Sequence, residues 1–180
     1  LPAGFYYKTF MWPKSFWYRI YEPFIRKAAG LGTASIKHDK ERYEHKYEYC
    51  DLLITGSGPS GLASAYAAAK NGARVILAED KARFGGTLLT SDVKIGNQTG
   101  KEWADGIISE LKTMPNVITK NRSQVFGYYD HNMLVMSERL SDHLPKTKKY
   151  HPKQKLWYIR AKEVFISSGS IERPIVFGNN

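Results

Sequence analysis

The residues best suited to chemistry in this sequence are Gly56-Ser57-Gly58-Pro59-Ser60-Gly61, which set three glycines in a G-x-G-x-x-G spacing. That spacing fits a turn whose backbone approaches a diphosphate. Gly56 allows the tight turn, Gly58 puts no side chain in the way of the pyrophosphate, and Gly61 lets the following helix lie close on a strand. Backbone N–H groups at the helix start face the phosphates, and the helix dipole adds about half a positive charge there, so the site needs no lysine. Glu79 stands 18 residues beyond Gly61, where a carboxylate accepts hydrogen bonds from the adenosine ribose hydroxyls. Asp80 beside it has a weaker claim. Together these residues predict a site for the ADP half of NAD or FAD. A 2′-phosphate would meet Glu79 unfavourably, although Lys81 and Arg83 keep NADP in contention.

No Ser-His-Asp, Cys-His or paired-carboxylate arrangement stands out, so no catalytic residue is assigned; this agrees with chemistry carried by a cofactor. His131 and His143 read as turn or surface residues. His38 and His45 lack metal-ligand spacing and no Cys or carboxylate set completes a site around them, so no metal is expected. The single cysteine, Cys50, excludes an intramolecular disulfide and a cysteine-rich metal centre.

The elements that must position the loop follow from the apolar pattern. Asp51 to Thr55 is a short apolar run ending at Gly56, as a buried parallel strand should. A helix is predicted from Pro59 to about Lys70, with Pro59 in the first turn and Asn71-Gly72 as the stop. Val75 to Ala78 is a second buried strand. Gly100 to Met114 reads as a helix with Trp103, Ile107, Ile108 and Leu111 on one face, and Val117 to Thr119 as a third strand. Gln124 to Tyr129, Met133 to Ser137 and Leu156 to Arg160 are read as an antiparallel meander, and Glu163 to Ser167 as a strand returning to the parallel sheet. The expected fold is therefore α/β: a Rossmann-like parallel sheet with helices and an antiparallel β-meander insertion.

An aromatic-rich N-terminal arm precedes it. Phe5, Tyr6, Tyr7, Phe10, Trp12, Phe16, Trp17, Tyr18, Tyr21 and Phe24 make an apolar surface that must be covered, and packing on a neighbouring domain is expected. Ser15 is a candidate cap for a short helix that Pro23 interrupts or restarts. The charged stretch from Lys37 to Tyr49 reads as a linker, giving residues 1–49 as arm and linker and 50–180 as an incomplete dinucleotide-binding domain. The chain has 180 residues and a formal charge of +10. Five lysines between Lys146 and Lys155 account for part of that excess and form a solvated loop, so no nucleic acid is expected. No apolar run approaches the roughly 18 residues of a membrane helix and no signal-peptide layout opens the chain, which favours a cytoplasmic protein without a membrane partner.

Two resemblances narrow the reading. Glu79, the run Arg83-Phe84-Gly85-Gly86-Thr87-Leu88-Leu89-Thr90 and the later Ser168-Gly169-Ser170-Ile171-Glu172-Arg173-Pro174 resemble the fingerprints of the glutathione-reductase-like flavoprotein superfamily. Ser167-Ser168 stand where that superfamily usually has Ala-Thr before the glycine. Further, Met11-Trp12-Pro13, Tyr21-Glu22-Pro23-Phe24-Ile25-Arg26, Ala29-Gly30-Leu31-Gly32, Phe126-Gly127-Tyr128-Tyr129-Asp130-His131-Asn132 and Ile171-Glu172-Arg173-Pro174 are similar to the alpha subunits of heterotetrameric sarcosine oxidases. That resemblance implies an internal segment of a longer subunit, lying between a ferredoxin-like and a folate-binding part. It implies NAD on this segment, with FAD and FMN elsewhere in an assembly that converts sarcosine to glycine and produces hydrogen peroxide. By position it implies that Gly56, Gly58, Pro59, Ser60, Gly61, Glu79, Asp80, Lys81, Gly85, Gly86, Thr87 and Val125 contact the cofactor. Two other readings remain open: a fragment of an NAD(P)H-dependent FAD oxidoreductase, and a non-catalytic interaction segment with a vestigial site.

Overall fold

The computed structural model describes residues 12–32, 34–145 and 151–170. Phe5, Tyr6, Tyr7, Phe10, Met11, residues 146–150 of the lysine-rich loop and Ile171-Glu172-Arg173-Pro174 lie outside the described residues. Residues 1–40 and 41–180 form two compact units.

In the first unit a 3₁₀ turn over Lys14–Phe16 and a π turn over Trp17–Tyr21 lead into helix α1, Glu22–Ala28. Pro23 opens this helix rather than breaking it, because its missing N–H lies in the first turn where no intrahelical partner exists. Ser15 does not cap; Pro13 holds the N-cap position without a side-chain bond. Arg26 grips Glu22 one turn away, Nε donating to Oε1 at 2.6 Å.

The second unit is built on one six-stranded sheet. Its elements are β1 (Tyr43–Thr55), α2 (Pro59–Lys70), β2 (Val75–Ala78), β3 (Lys94–Ile95), β4 (Gln98–Thr99), α3 (Gly100–Thr113), β5 (Val117–Lys120), β6 (Ser123–Tyr129), β7 (Met133–Arg139) and β8 (Gln154–Ile166). The strand order is β5-β2-β1-β8-β7-β6. The contacts β5-β2, β2-β1 and β1-β8 are parallel, whereas β7 runs antiparallel to both β8 and β6. The expected α/β sheet with an antiparallel meander is therefore present, and β3 and β4 add a small separate hairpin.

Alternation along the strands gives each sheet face its own core. Ile54, Val75 and Leu77 meet Leu62, Ala65 and Ala69 of α2 and Ala104, Ile108 and Leu111 of α3. On the other face Leu53, Ile76 and Ala78 cluster with Leu134 and Met136 of β7 and Trp157 and Ile159 of β8, so the meander covers the side that the helices leave. Helix α3 starts with a reciprocal cap: the Thr99 hydroxyl accepts from the Glu102 N–H, and Glu102 accepts from the Thr99 N–H at 2.9 Å.

Two boundaries differ from the sequence reading. The charged stretch read as a linker contributes Tyr43 to Tyr49 to β1, whose first half pairs with β8 from Tyr43↔Gln154 to Cys50↔Ala161. Its polar residues are paired there: Lys155 Nζ lies 3.0 Å from Glu44, Lys46 stacks over the Trp157 ring, and Tyr47 stacks on Tyr158. In addition, the last meander strand and the returning parallel strand are one continuous strand, β8, of 13 residues.

Asp51 joins the halves of β1 to their neighbours. Its carboxylate accepts from the Arg74 backbone N–H at 2.8 Å and Nε at 3.2 Å, and from Lys162 Nζ at 2.9 Å. Hydrogen bonds from Arg74, with Lys162 assisting, hold its carboxyl well below the usual range. A depressed native pKa contributes stability above the unfolded value, near about 4, and that stability is lost as pH falls below it. Asp51→Asn is therefore expected to lower the thermal midpoint at neutral pH, with the gap to wild type narrowing progressively as pH falls below about 4. A gap that stays constant across an acid titration of the midpoint would refute this role.

Candidate functional site

The glycine loop joins the end of β1 to the start of α2. The Gly56 N–H donates to the Ala78 carbonyl at 2.8 Å, and Gly56 sits at φ +99°, a left-handed region that favours glycine. Behind it, the Ser167 hydroxyl at the end of β8 donates to the carbonyls of Thr55 at 3.0 Å and Gly56 at 2.8 Å. A Cβ at Gly61 would collide with the Gly56 carbonyl oxygen and come within 2.7 Å of Ser167 Oγ, whereas a Cβ at Gly58 would meet nothing within 4 Å. The loop is thus packed tightly on its protein side and open on the side where Gly58 faces.

Glu79 follows β2 and is 6% exposed. Its Oε2 accepts from the Ser57 N–H at 2.9 Å and from the Ser57 hydroxyl, and its Oε1 accepts from the Lys81 N–H at 3.0 Å. The Glu79 backbone is tied to the meander side as well, its N–H donating to Lys120 O and its carbonyl accepting from the Ser123 N–H, each at 2.8 Å. The second glycine pair closes on the first loop. The Gly85 N–H donates to Ser57 O at 3.0 Å and to Ser57 Oγ at 3.1 Å, and a Cβ on Gly86 would fall 2.9 Å from Gly58 Cα. At the far rim, an Arg139 Nη donates to the Asp80 carbonyl at 2.7 Å.

These groups surround one cavity of about 1150 Å³. Of the residues singled out from sequence, Gly56, Gly58, Pro59, Ser60, Glu79, Asp80, Lys81, Gly86, Thr87 and Val125 line it. Gly61 and Gly85 do not; both are buried behind the wall and shape it through packing. Ser57, Ser167, Ser168 and Gly169, which belong to the two motifs but were not among the proposed contacts, also line the cavity. Ser57 was marked by its place inside the loop. Ser167 was marked by its place before the later Ser168-Gly169 turn, but its bond to Gly56, 111 residues away, carried no local signal.

The cavity offers helix N–H groups at one end and a carboxylate at the other, with an open space over Gly58 between them. A diphosphate fits over Gly58 at the start of α2, and a ribose fits beside Glu79; the donors and acceptor have the polarity that an adenosine diphosphate needs. Elsewhere the chemistry is quiet. The Cys50 thiol is pushed up to about 12, first by burial and then by the charges of Asp51 and Glu48, and is held in its inert form. Among the described residues no cluster of three or more His, Cys, Asp or Glu could hold a metal ion, and no helix is long and apolar enough to cross a membrane. His131 occupies a left-handed turn position at φ 58°, its carbonyl gripped by an Arg160 Nη at 2.7 Å. His143 is exposed.

Comparison with known proteins agrees with this geometry. The family model described as FAD dependent oxidoreductase matches residues 51–141. The chain is 44% identical over its whole length to the sarcosine oxidase subunit alpha of Rhizobium meliloti (strain 1021), covering 18% of that protein. It is 36% identical over 84% of its length to the subunit alpha of Corynebacterium sp. (strain U-96), covering 16% of that protein. The chain thus spans less than a fifth of the length of these relatives. Among solved structures, the L-proline dehydrogenase of P. horikoshii superposes with a TM-score of 0.58 at 20% identity, over 82% of this chain and 28% of that one, which shows a shared fold. With the glycine loop and its acid both inside the matched region, the chain belongs to the FAD-dependent oxidoreductase family, and its sequence is that of a segment similar to sarcosine oxidase alpha subunits.

Proposed function

We propose that this segment binds NAD as the dinucleotide-holding part of a sarcosine-oxidase-like alpha subunit. The observation that carries the reading is the open face over Gly58 set in the same cavity as Glu79. N–H groups of the first turn of α2 hold the diphosphate, Glu79 takes the adenosine ribose, and backbone groups at Gln124 and Val125 border the adenine. Bound NAD supplies a nicotinamide able to accept or give a hydride. The residues of this chain bind and orient; none is assigned to bond-making. The choice of NAD over FAD rests on the likeness to sarcosine oxidase alpha subunits, and with it comes the wider assembly: partner subunits carrying FAD and FMN, sarcosine as donor, and glycine and hydrogen peroxide as products, in a cytoplasmic heterotetramer.

A second reading, favoured by the description of the family model, puts FAD on the same loop, because Glu79 serves the ribose of either cofactor equally well. Calorimetric titration of the purified full chain with NAD⁺ and with FAD, together with its visible spectrum, separates the two. NAD⁺ is expected to saturate a single site in colourless protein. Protein that is yellow as purified and indifferent to NAD⁺ would transfer the site to FAD, and indifference to both would leave only a vestigial site.

A further inference from the structure

The loop serine between the first two glycines has no role in the usual account of such a motif, where only the glycines and the acid are given work. Here its side chain is fully buried and makes two directed bonds. The Gly85 N–H donates to Ser57 Oγ at 3.1 Å, and Ser57 Oγ reaches Glu79 Oε2. A hydroxyl has one proton, and an ionised carboxylate only accepts. The direction of the chain is therefore fixed: Gly85 N–H to Ser57 Oγ, and Ser57 O–H to Glu79.

The acceptor count at Glu79 then becomes decisive. A carboxylate offers about four acceptor positions, two on each oxygen. Oε2 takes the Ser57 N–H and the Ser57 O–H, and Oε1 takes the Lys81 N–H. One position remains, on Oε1. An acid in this place with both oxygens open accepts from both ribose hydroxyls; this one has capacity for a single strong bond.

We infer that Ser57 is a positioning residue that locks one edge of Glu79 to the protein, so that the site distinguishes one ribose hydroxyl of its dinucleotide rather than both. The inference rests on the dinucleotide reading above. Because the serine is sealed from solvent, water does not replace its hydroxyl, and without the O–H the Oε2 edge is held by the residue 57 N–H alone. The same hydroxyl receives the Gly85 N–H, so the second glycine loop and the ribose acid are set by one group.

The test compares NAD⁺ with its adenosine 2′-deoxy and 3′-deoxy analogues by calorimetry on the full chain and on Ser57→Ala. In the wild type, one analogue is expected to bind about tenfold or more weaker than NAD⁺, and the other within about threefold. In Ser57→Ala the Oε2 edge keeps only the backbone N–H of residue 57, so the carboxylate can turn toward either hydroxyl, and the two analogues should come to within about threefold of one another. A merely structural serine predicts something else: an equal loss for all three ligands with the asymmetry intact. That result, or a wild type that loses equally on removal of either hydroxyl, overturns the inference while leaving dinucleotide binding in place. A wild type that binds none of the three overturns the parent reading and this one together. Thermal melts report whether Ser57→Ala is folded; if it is not, Ser57→Cys, close in size and a weak donor, carries the same prediction of a diminished asymmetry.

Discussion

Replacing Gly58 by valine is expected to weaken NAD⁺ binding by at least about a hundredfold while leaving the fold nearly as stable as before, a thermal shift of no more than about 4 °C. The two halves of this expectation have separate causes. Gly58 sits at φ −66° and ψ −174°, ordinary extended backbone that valine adopts, and a Cβ there meets nothing within 4 Å. The protein therefore has little reason to object beyond the poorer helix cap, about 1 kcal/mol. The diphosphate does have reason, because the valine methyls would fill the space over the start of α2 and hold the phosphates away from the N–H groups. Calorimetry and a thermal melt on the same sample read both halves. Affinity within about threefold of wild type would mean that the diphosphate does not cross Gly58.

Gly61→Ala should do the opposite. A helical glycine changed to alanine ordinarily gains up to about 1 kcal/mol from propensity. Here the new methyl would run into the Gly56 carbonyl and crowd Ser167 Oγ, and both belong to the tightly bonded junction of β1, α2 and β8. Overpacking against backbone is expected to reverse the sign and cost about 3 kcal/mol. Urea unfolding is the measurement, and a midpoint at or above that of wild type would disprove the close approach of α2 to the loop. Placed side by side, the two glycines separate what the motif does for a ligand from what it does for the fold.

How much of this was legible in advance followed the range of the signal. α2 is found at Pro59–Lys70 and β2 at Val75–Ala78, as the sequence indicates, because proline at the helix start, Asn71-Gly72 at its end and a four-residue apolar run are local statements. Ten of the twelve residues proposed as cofactor contacts are brought to one cavity, because the loop, the end of β2 and the second glycine pair are close in sequence. Elements stabilised by distant partners were not. Glu44, Lys46 and Glu48 read as linker because charge within a short window looks solvated, yet they lie in a strand whose partners, Lys155, Trp157 and Tyr158, come more than a hundred residues later. The same reason hid the bonds that Ser167 makes to Thr55 and Gly56. Glu79 was found, but its two bonds from Ser57 were not, since spacing tells where an acid stands and not which of its lone pairs are already taken.

The continuity of β8 has a consequence for the making of the protein. The glycine loop is anchored by the end of that strand: Thr55 pairs with Ile166, and the Ser167 N–H donates to the Thr55 carbonyl. On the ribosome, at about 5–20 residues per second, the loop therefore emerges roughly 5–20 s before its anchor is synthesised. Throughout that interval β1 has β2 on one side and a bare, partly apolar edge on the other, with the meander that covers Leu53 and Ile76 still to come. Such long-range pairing also makes assembly slow once the chain is complete. The nascent chain thus carries a glycine loop without its anchor and a sticky edge without its cover, and both conditions end with the same strand.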